Sequence, residues 1–249
     1  MNGERVKRFF TWAALITGRL WATVLAILVT IILVITITDI QVQRHRITHL
    51  VPRLLQSQDI QMTVYDLSVE QLEILIRIED PTFFTNHGLD HHTPGAGLTS
   101  MTESVGKKLF FHPFKPGIRK IRLAYLSRYA LYPLVSKQDL LTLHLNLMYY
   151  GKVDGQPVTG LANAANAYYG KSVQELSRRE YLSLIAMLPG PGWFSLIDHP
   201  DQNALRVQRI EAVLAGDYQP KGLMDVYYEG APVIYPRPPR EIDSSTSGK

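Results

Sequence analysis

The chain has 249 residues, of which 46% are hydrophobic and 19% are charged, and its formal net charge is +4 at pH 7. This length leaves room for one sizeable domain with an anchor and tails, and this composition excludes a wholly disordered protein. The chain has no cysteine, which excludes disulfides and thiolate chemistry. The basic excess suits phosphates, lipid headgroups or nucleic acid and does not choose among them.

A long apolar run lies near the N-terminus. Nineteen uncharged residues, 20–38, would span roughly the 30 Å hydrocarbon core of a bilayer as a helix. The residues that follow do not resemble a cleavage site, so the run is predicted to stay as a signal anchor. Four basic residues lie in the segment 1–19, against Arg44 and Arg46 after the run. This bias predicts a cytoplasmic segment 1–19 and an exported main domain.

The stretch 39–67 mixes polar and apolar residues and is predicted to be a stalk or a first accessory element. A helix is then predicted from Ser68, where Ser68 and Gln71 form a capping box, to Asp80, because Pro81 stops it there.

Four more helices are predicted from apolar periodicity and from the loops that Gly and Pro mark. They run from near Ile118 towards Pro133, from Ser136 to Gly151, from Ser177 to Leu188 and from Asp201 to Leu214. The helix that begins at Ser136 is apolar on nearly every side, so it is predicted to be the buried centre of the domain. No internal repeat and no strong strand pattern is found, and the Pro-rich stretch 216–249 is predicted to be a disordered tail.

Glu79 lies near the end of the first predicted helix and continues the apolar stripe of Leu72, Leu75 and Ile76. A carboxylate there is expected to be partly desolvated, which raises its pKa and suits it to proton transfer. Helix geometry alone favours a plainer role, as a helix-edge cap or an ion pair, because structural ion pairs outnumber catalytic carboxylates.

The residues around Glu79 form the first of a series of motifs. Residues 79–90 read Glu-Asp-Pro-Thr-Phe-Phe-Thr-Asn-His-Gly-Leu-Asp and resemble the first motif of the peptidoglycan glycosyltransferases, glycosyltransferase family 51. Residues 97–110 resemble the family's Gly-Gly-Ser-Thr-Ile-Thr-Gln-Gln segment, 119–123 its Arg-Lys-x-x-Glu, 137–151 its Leu-Glu-x-Tyr-Leu-Asn helix, and 160–171 its Tyr-Phe-Gly-Lys segment. Each motif alone is weak, but their order and spacing over 68–215 are fairly specific.

The resemblance implies a mainly α, lysozyme-like helical domain over residues 68–215, behind a single N-terminal transmembrane helix. It implies that an acceptor hydroxyl attacks a sugar carbon of lipid II and displaces a lipid-linked pyrophosphate, with Glu79 as the general base. The substrate-binding residues that it implies are Asp80, Thr99, Thr102, Lys107, Arg119, Lys120 and Asn146. For the basic residues among these, a solvated helix face or a basic surface near anionic lipid is an equally weighted alternative.

The same resemblance implies a location and partners. The protein is expected in the bacterial inner (plasma) membrane as a single-pass protein, with its main domain on the periplasmic or outer side. Its expected partners are lipid II or a nascent glycan strand, the lipid bilayer and other cell-envelope proteins, and no nucleic acid. The length leaves no room for a transpeptidase domain, so a monofunctional member that does not bind β-lactams is expected.

No cofactor is expected, although a divalent metal such as magnesium stays open. His87, His91 and His92 lie near Asp90 in a loop rich in Gly and Pro. Their spacing is not regular for metal ligands, so no metal site is predicted there.

Four positions depart from the family's pattern. Leu123 replaces the glutamate of Arg-Lys-x-x-Glu, Thr142 replaces the glutamate of the Leu-Asn helix, Asn86 replaces the histidine of the first motif, and Glu103-Ser104 replaces a Gln pair. Loss of a carboxylate that positions the pyrophosphate or its metal weakens transition-state stabilisation unless another group, such as Glu103, compensates.

Two functions therefore stay open. One is a divergent glycosyltransferase, and the other is a catalytically inactive member, a pseudoenzyme, that acts as a binding or scaffolding module in a cell-envelope assembly. A cleft in which Glu79 faces Arg119 and Lys120 would favour the first function. A cleft plugged by Leu123 would favour the second.

Overall fold

The computed structural model describes residues 3–111 and 113–233, with side chains from residue 19 onward. This part of the chain is mainly helical, as expected. Its helices are α1 (Gly3–Leu55), α2 (Val69–Glu79), α3 (Met101–Phe110), α4 (Ile118–Leu126), α5 (Lys137–Leu147), α6 (Leu161–Tyr169), α7 (Arg178–Met187) and α8 (Pro200–Ala215). A π-helical turn, Ser127–Leu131, continues α4, and short 3₁₀ turns lie at Val64–Asp66 and Val173–Glu175.

Helix α1 carries a segment that is long and apolar enough to cross a bilayer. Within Arg19–Leu55, an 18-residue window has a mean hydropathy of 2.8 and no buried residue. This finding agrees with the predicted single N-terminal transmembrane helix.

Helix α1 continues beyond this apolar segment and packs on the body of the protein. Ile47 and Val51, four residues apart on one helical face, belong to the hydrophobic core and are 1% and 5% exposed. The first part of the stretch predicted to be a stalk, 39–67, is therefore a helix held against the domain by its apolar face.

Polar contacts join the start of that stretch to α4. Arg122 donates two hydrogen bonds, from Nε and Nη2, to the two carboxylate oxygens of Asp39, each 2.8 Å long. Tyr125 donates a third to Asp39 at 2.6 Å, and Arg44 donates to the backbone oxygen of Tyr129 at 2.9 Å. Since Asp39 directly follows the predicted span, these bonds couple the anchor to the domain.

Two of the predicted helices illustrate how local signals set helix ends. Helix α2 begins after Ser68, whose hydroxyl accepts from the Gln71 backbone at 3.1 Å in a capping box, and it ends before Pro81. Helix α5 is buried throughout Leu140–Asn146, as expected for the centre of the domain. It stops at Leu147, earlier than predicted, because Met148 is extended and Tyr149 begins a strand.

Three elements were not predicted: α3, α6 and a hairpin of two antiparallel strands, β1 (Tyr149–Val153) and β2 (Gln156–Thr159). The strands are four and five residues long and mix Gly, Pro, Lys and Gln with apolar residues. So short and mixed a stretch carries little alternation to recognise in a sequence.

The stretch 216–249, predicted to be disordered, is described as far as residue 233. Within that part Tyr218, Tyr228 and Ala231 are buried in the core. Residues 217–233, called the closing segment below, are therefore held by aromatic packing, which differs from the prediction. The rest of the predicted tail, 234–249, lies outside the described residues.

Candidate functional site

A cavity of about 250 Å³ lies at the C-terminal end of α2. Its wall comes from α2, the loop before α3, helix α3, the end of α7, α8 and the closing segment. The lining residues are Ile78, Glu79, Gly95, Ala96, Gly97, Leu98, Thr99, Ser104, Lys107, Leu188, Pro189, Arg206, Met224, Val226 and Tyr227. Three of the predicted site residues, Glu79, Thr99 and Lys107, therefore meet in one cavity.

The Glu79 carboxylate is half-buried in this cavity wall. Burial raises the pKa of Glu79 to about 7, the positive charge of Arg206 opposes the rise, and the charge of Asp80 adds to it. Within the described residues, the side chain of Glu79 has no hydrogen bond and no ion pair. A carboxylate with this pKa can accept a proton near neutral pH.

Arg206 is a cavity residue that the sequence did not point to. Its side chain is 3% exposed and donates from Nε to the Ala186 carbonyl at 3.1 Å and from Nη1 to the Val226 carbonyl at 2.8 Å. Its guanidinium also lies 5.1 Å from the ring centre of Phe194. Arg206 lies on the buried face of α8 together with Asn203, Val207 and Ile210. Its position among these residues could have been noticed in the sequence, because a charged side chain is almost never fully buried unless it is paired.

Two lysines meet at Thr99 beside the cavity. The Thr99 hydroxyl contacts Lys107 Nζ at 3.3 Å and Lys120 Nζ at 2.8 Å, and Lys120 also donates to the Leu98 carbonyl. Burial lowers the pKa of Lys107, and the charge of Lys120 lowers it further. The ammonium groups of Lys107 and Lys120, called the lysine pair below, therefore both contact the same hydroxyl.

Asp80 and Thr102, two other predicted site residues, are buried beside the cavity and do not line it. Asp80 is 1% exposed and accepts from the Asn86 side chain at 2.8 Å and from the Met101 backbone at 3.0 Å. It therefore ties the loop after α2 to the start of α3. Thr102 is fully buried, and its hydroxyl has no hydrogen-bond partner in the described part of the chain.

Arg119 and Asn146 lie away from the cavity. Arg119 is exposed and donates to the Pro113 carbonyl at 3.0 Å. Asn146 accepts from the Gln61 backbone at 2.8 Å and donates to the Met62 and Thr142 carbonyls at 2.7 Å each. The side chain of Asn146 therefore holds the segment before α2 against α5.

No group of three or more His, Asp or Glu side chains that could hold a metal occurs among residues 3–111 and 113–233. Asp90 accepts instead from the Thr82 hydroxyl at 2.5 Å and from the backbone of His92 and Thr93 at 2.9 and 3.0 Å. These bonds hold the pKa of Asp90 well below its usual range.

Comparison with known proteins identifies the family. A family model described as Transglycosylase matches residues 47–215, which is more than half of the chain. The chain belongs to the transglycosylase family. The matched region begins within α1 and ends with α8, so the packed end of α1 is part of the family domain.

Proteins from several bacteria are similar to this chain. Penicillin-binding protein 1F of Bacillus subtilis is 27% identical over 158 residues, which cover 58% of this chain and 21% of that protein. Penicillin-binding protein 1A of Escherichia coli is 27% identical over 167 residues, 61% of this chain and 19% of that protein. The chain thus spans about a fifth of these relatives.

A shorter member of the transglycosylase family matches over more of its own length. The biosynthetic peptidoglycan transglycosylase of Acinetobacter baumannii is 26% identical over 157 residues, which cover 58% of this chain and 67% of that protein.

The closing segment lies beyond the matched transglycosylase region, yet it forms part of the cavity wall. The Gly222 and Leu223 carbonyls accept from the backbone of Gly95 and Gly97 at 2.9 and 2.8 Å. A Cβ on Gly97 would lie 2.8 Å from Val226 Cγ1, so this close approach needs a glycine. The closing segment therefore bridges the loop before α3 and α8 across the cavity.

Leu123, which departs from the transglycosylase pattern, does not plug the cavity. It is fully buried, and its Cδ1 lies 3.1 Å from the position that a Cβ on Gly106 would take. Leu123 therefore fills the core between α3 and α4. Thr142 is also buried, on α5, and neither residue lines the cavity.

Proposed function

We propose that this chain is a membrane-anchored peptidoglycan glycosyltransferase that polymerises lipid II into glycan strands, with Glu79 as the general base. The observation that carries the proposal is the Glu79 carboxylate, which is half-buried in a cavity, has no hydrogen bond from the described residues and has a pKa of about 7. A base whose pKa lies near the working pH transfers protons most effectively. The name of the Acinetobacter baumannii relative supports peptidoglycan as the product.

In the proposed reaction Glu79 accepts a proton, and the lysine pair stabilises negative charge on the leaving group. Glu79 accepts the proton of an acceptor hydroxyl while the hydroxyl oxygen forms a bond to the sugar carbon of a second lipid II. The bond from that carbon to the pyrophosphate breaks, and the pyrophosphate leaves with the electron pair. Lys107 and Lys120, which converge on Thr99 beside the cavity, are suited to stabilise this developing negative charge. Asp80, Thr102, Arg119 and Asn146 stay predictions as substrate-binding residues.

The anchor fits a lipid-linked substrate. Lipid II and the growing strand are both attached to a membrane, and α1 is long and apolar enough to hold the domain at the same surface. The basic residues before the apolar run support a main domain on the outer side of the inner membrane. The bonds between Asp39 and α4 would keep the cavity at a constant orientation to that surface.

The second candidate function is a catalytically inactive binding or scaffolding module. The size of the cavity favours it, because about 250 Å³ is below the 300–1,000 Å³ typical of pockets for small molecules, and lipid II is larger than those. The absence of the glutamates at Leu123 and Thr142 favours it as well.

Polymer formation by the full chain in detergent, with lipid II as substrate, separates these functions. Glu79→Gln should lower the rate by roughly 10²–10⁴-fold, the usual contribution of a general base. Glu73→Gln is the matched control, since Glu73 is an exposed carboxylate on the same helix.

Polymer from the wild type and Glu73→Gln but not from Glu79→Gln is the expected result. A Glu79→Gln variant as fast as the wild type would remove Glu79 from the mechanism. A wild type that binds lipid II and makes no polymer would establish the binding module instead.

A further inference from the structure

Glu103 is a fully buried carboxylate whose charge is not needed for its local structure. One oxygen, Oε2, accepts from the Ser100 backbone at 3.0 Å and closes the capping box at the start of α3. A neutral glutamine, which the family pattern has at this position, would cap the helix equally well. The other oxygen, Oε1, has no hydrogen-bond partner among the described residues and lies 3.8 Å from Lys120 Nζ. Burying a carboxylate is costly, so the charge of Glu103 is expected to be offset by an interaction with its neighbours.

The neighbours of Glu103 are the two lysines of the lysine pair. Glu103 and Lys107 are four residues apart on α3, so they lie on the same helical face, and Lys120 approaches from α4. Each lysine also contacts the Thr99 hydroxyl, which brings two positive charges close together. Glu103 is the buried negative charge beside both of them. Its charge raises the pKa of Lys107, against the effects of burial and of Lys120.

The carboxylate missing at position 123 belongs to the same interface. Leu123 follows Lys120 by three residues on α4, so a glutamate there would lie one helical turn from Lys120. The Leu123 side chain packs against Gly106, which is three residues after Glu103 on α3. The family pattern thus places its carboxylate on the α4 side of this interface, whereas this chain carries one on the α3 side.

We propose that Glu103 is a positioning residue that replaces the missing glutamate of the Arg-Lys-x-x-Glu motif and holds the lysine pair directed at the pyrophosphate of the substrate. This assignment rests on the proposed function, which supplies the anionic leaving group. Two lysines and one carboxylate leave a net charge of +1, so the cluster attracts an anion while the repulsion between the lysines is reduced.

The test is the pH dependence of binding of inorganic pyrophosphate to the full chain in detergent, measured by calorimetry from pH 6 to 10. Other charges face Lys107 as well: Lys108 on its own helix, and Glu79 and Arg206 across the cavity. His144 on the adjacent α5 is buried, and burial lowers its pKa to about 4, so it is neutral in this range. These groups stay unchanged in all the variants.

Glu103→Gln should move the loss of binding at high pH downward by about one unit, because Lys107 then loses a neighbouring charge that favours its protonated form. At pH 9 its affinity should be roughly tenfold below that of the wild type, and at pH 6 it should not be reduced. The double variant Glu103→Gln/Leu123→Glu should recover most of the shift. Glu211→Gln, which removes an exposed carboxylate on α8, is the control and should behave as the wild type.

Several results would overturn the assignment. One is an unchanged pH dependence in Glu103→Gln, another is equal weakening at every pH, and a third is a wild type that does not bind pyrophosphate. If Glu103→Gln does not fold, Leu123→Glu alone must move the loss of binding to higher pH, because its carboxylate would lie one helical turn from Lys120, where the unpartnered hydroxyl of Ser127 can donate to it. No shift in that variant would also reject the proposal.

The polymer assay keeps the two proposals distinct. A protein that shows the expected pH shifts in pyrophosphate binding and makes no polymer from lipid II would contradict the proposed function and leave the role of Glu103 in place. A protein that makes polymer and shows no pH shift in pyrophosphate binding would contradict the role of Glu103 and leave the proposed function in place.

Discussion

Replacement of Glu79 by Gln should stabilise the protein above neutral pH. The pKa of Glu79 rises from 4.5 to about 7, mainly because the folded chain buries the carboxylate. At about 1.36 kcal/mol per unit of pKa, the ionised carboxylate costs the folded state roughly 3 kcal/mol. A glutamine has nearly the same shape and no charge, so Glu79→Gln avoids this cost.

The direction of the pH effect follows from proton binding. Between pH 4.5 and about 7 the folded wild type holds a proton on Glu79 that the unfolded chain has released. The free energy of unfolding of the wild type therefore falls as the pH rises through this range, and the contribution of Glu79 is constant above it. The free energy of unfolding of Glu79→Gln does not fall in this way. The difference in free energy of unfolding between the variant and the wild type should therefore grow by roughly 3 kcal/mol from pH 4.5 to pH 8.

Thermal unfolding of the full chain in detergent at pH 5, 6, 7 and 8 measures this difference. For a domain of this size, roughly 3 kcal/mol corresponds to about 6–12 °C in Tm. Glu73→Gln, on the exposed side of α2, should show a constant difference from the wild type. If the Tm difference between Glu79→Gln and the wild type is the same at every pH, Glu79 is not the desolvated base proposed above.

Two further predictions concern the packing of the domain. Asn146→Ala should lower the free energy of unfolding by about 2–3 kcal/mol in denaturant titrations, because it leaves buried backbone groups near Met62 unpaired, and a loss below about 0.5 kcal/mol would contradict this structural role. Gly97→Ala should lower the free energy of unfolding by roughly 1–3 kcal/mol, because Gly97 has a φ of +70° and an added Cβ would lie 2.8 Å from Val226 Cγ1 of the closing segment, whereas an unchanged stability would show that the closing segment is not held this closely.

Several features followed from the sequence because their causes are local. The anchor needs only the length and polarity of the run 20–38. The bounds of α2 depend on Ser68, Gln71 and Pro81, which act within one turn of the helix ends. The burial of α5 follows from its apolar residues on nearly every side. The family could likewise be inferred from the order of its motifs, each of which is a short stretch of chain.

The tertiary structure decided which of the motif residues meet. Glu79, Lys107, Arg206 and Val226 come from α2, α3, α8 and the closing segment, so their meeting depends on how elements distant in the chain pack together. The same packing directs Arg119 to the Pro113 carbonyl and uses Asn146 to hold the backbone of Met62. A motif specifies a residue and its neighbours along the chain, whereas the pKa of a carboxylate and the partner of a lysine depend on the groups that the fold brings within a few ångströms.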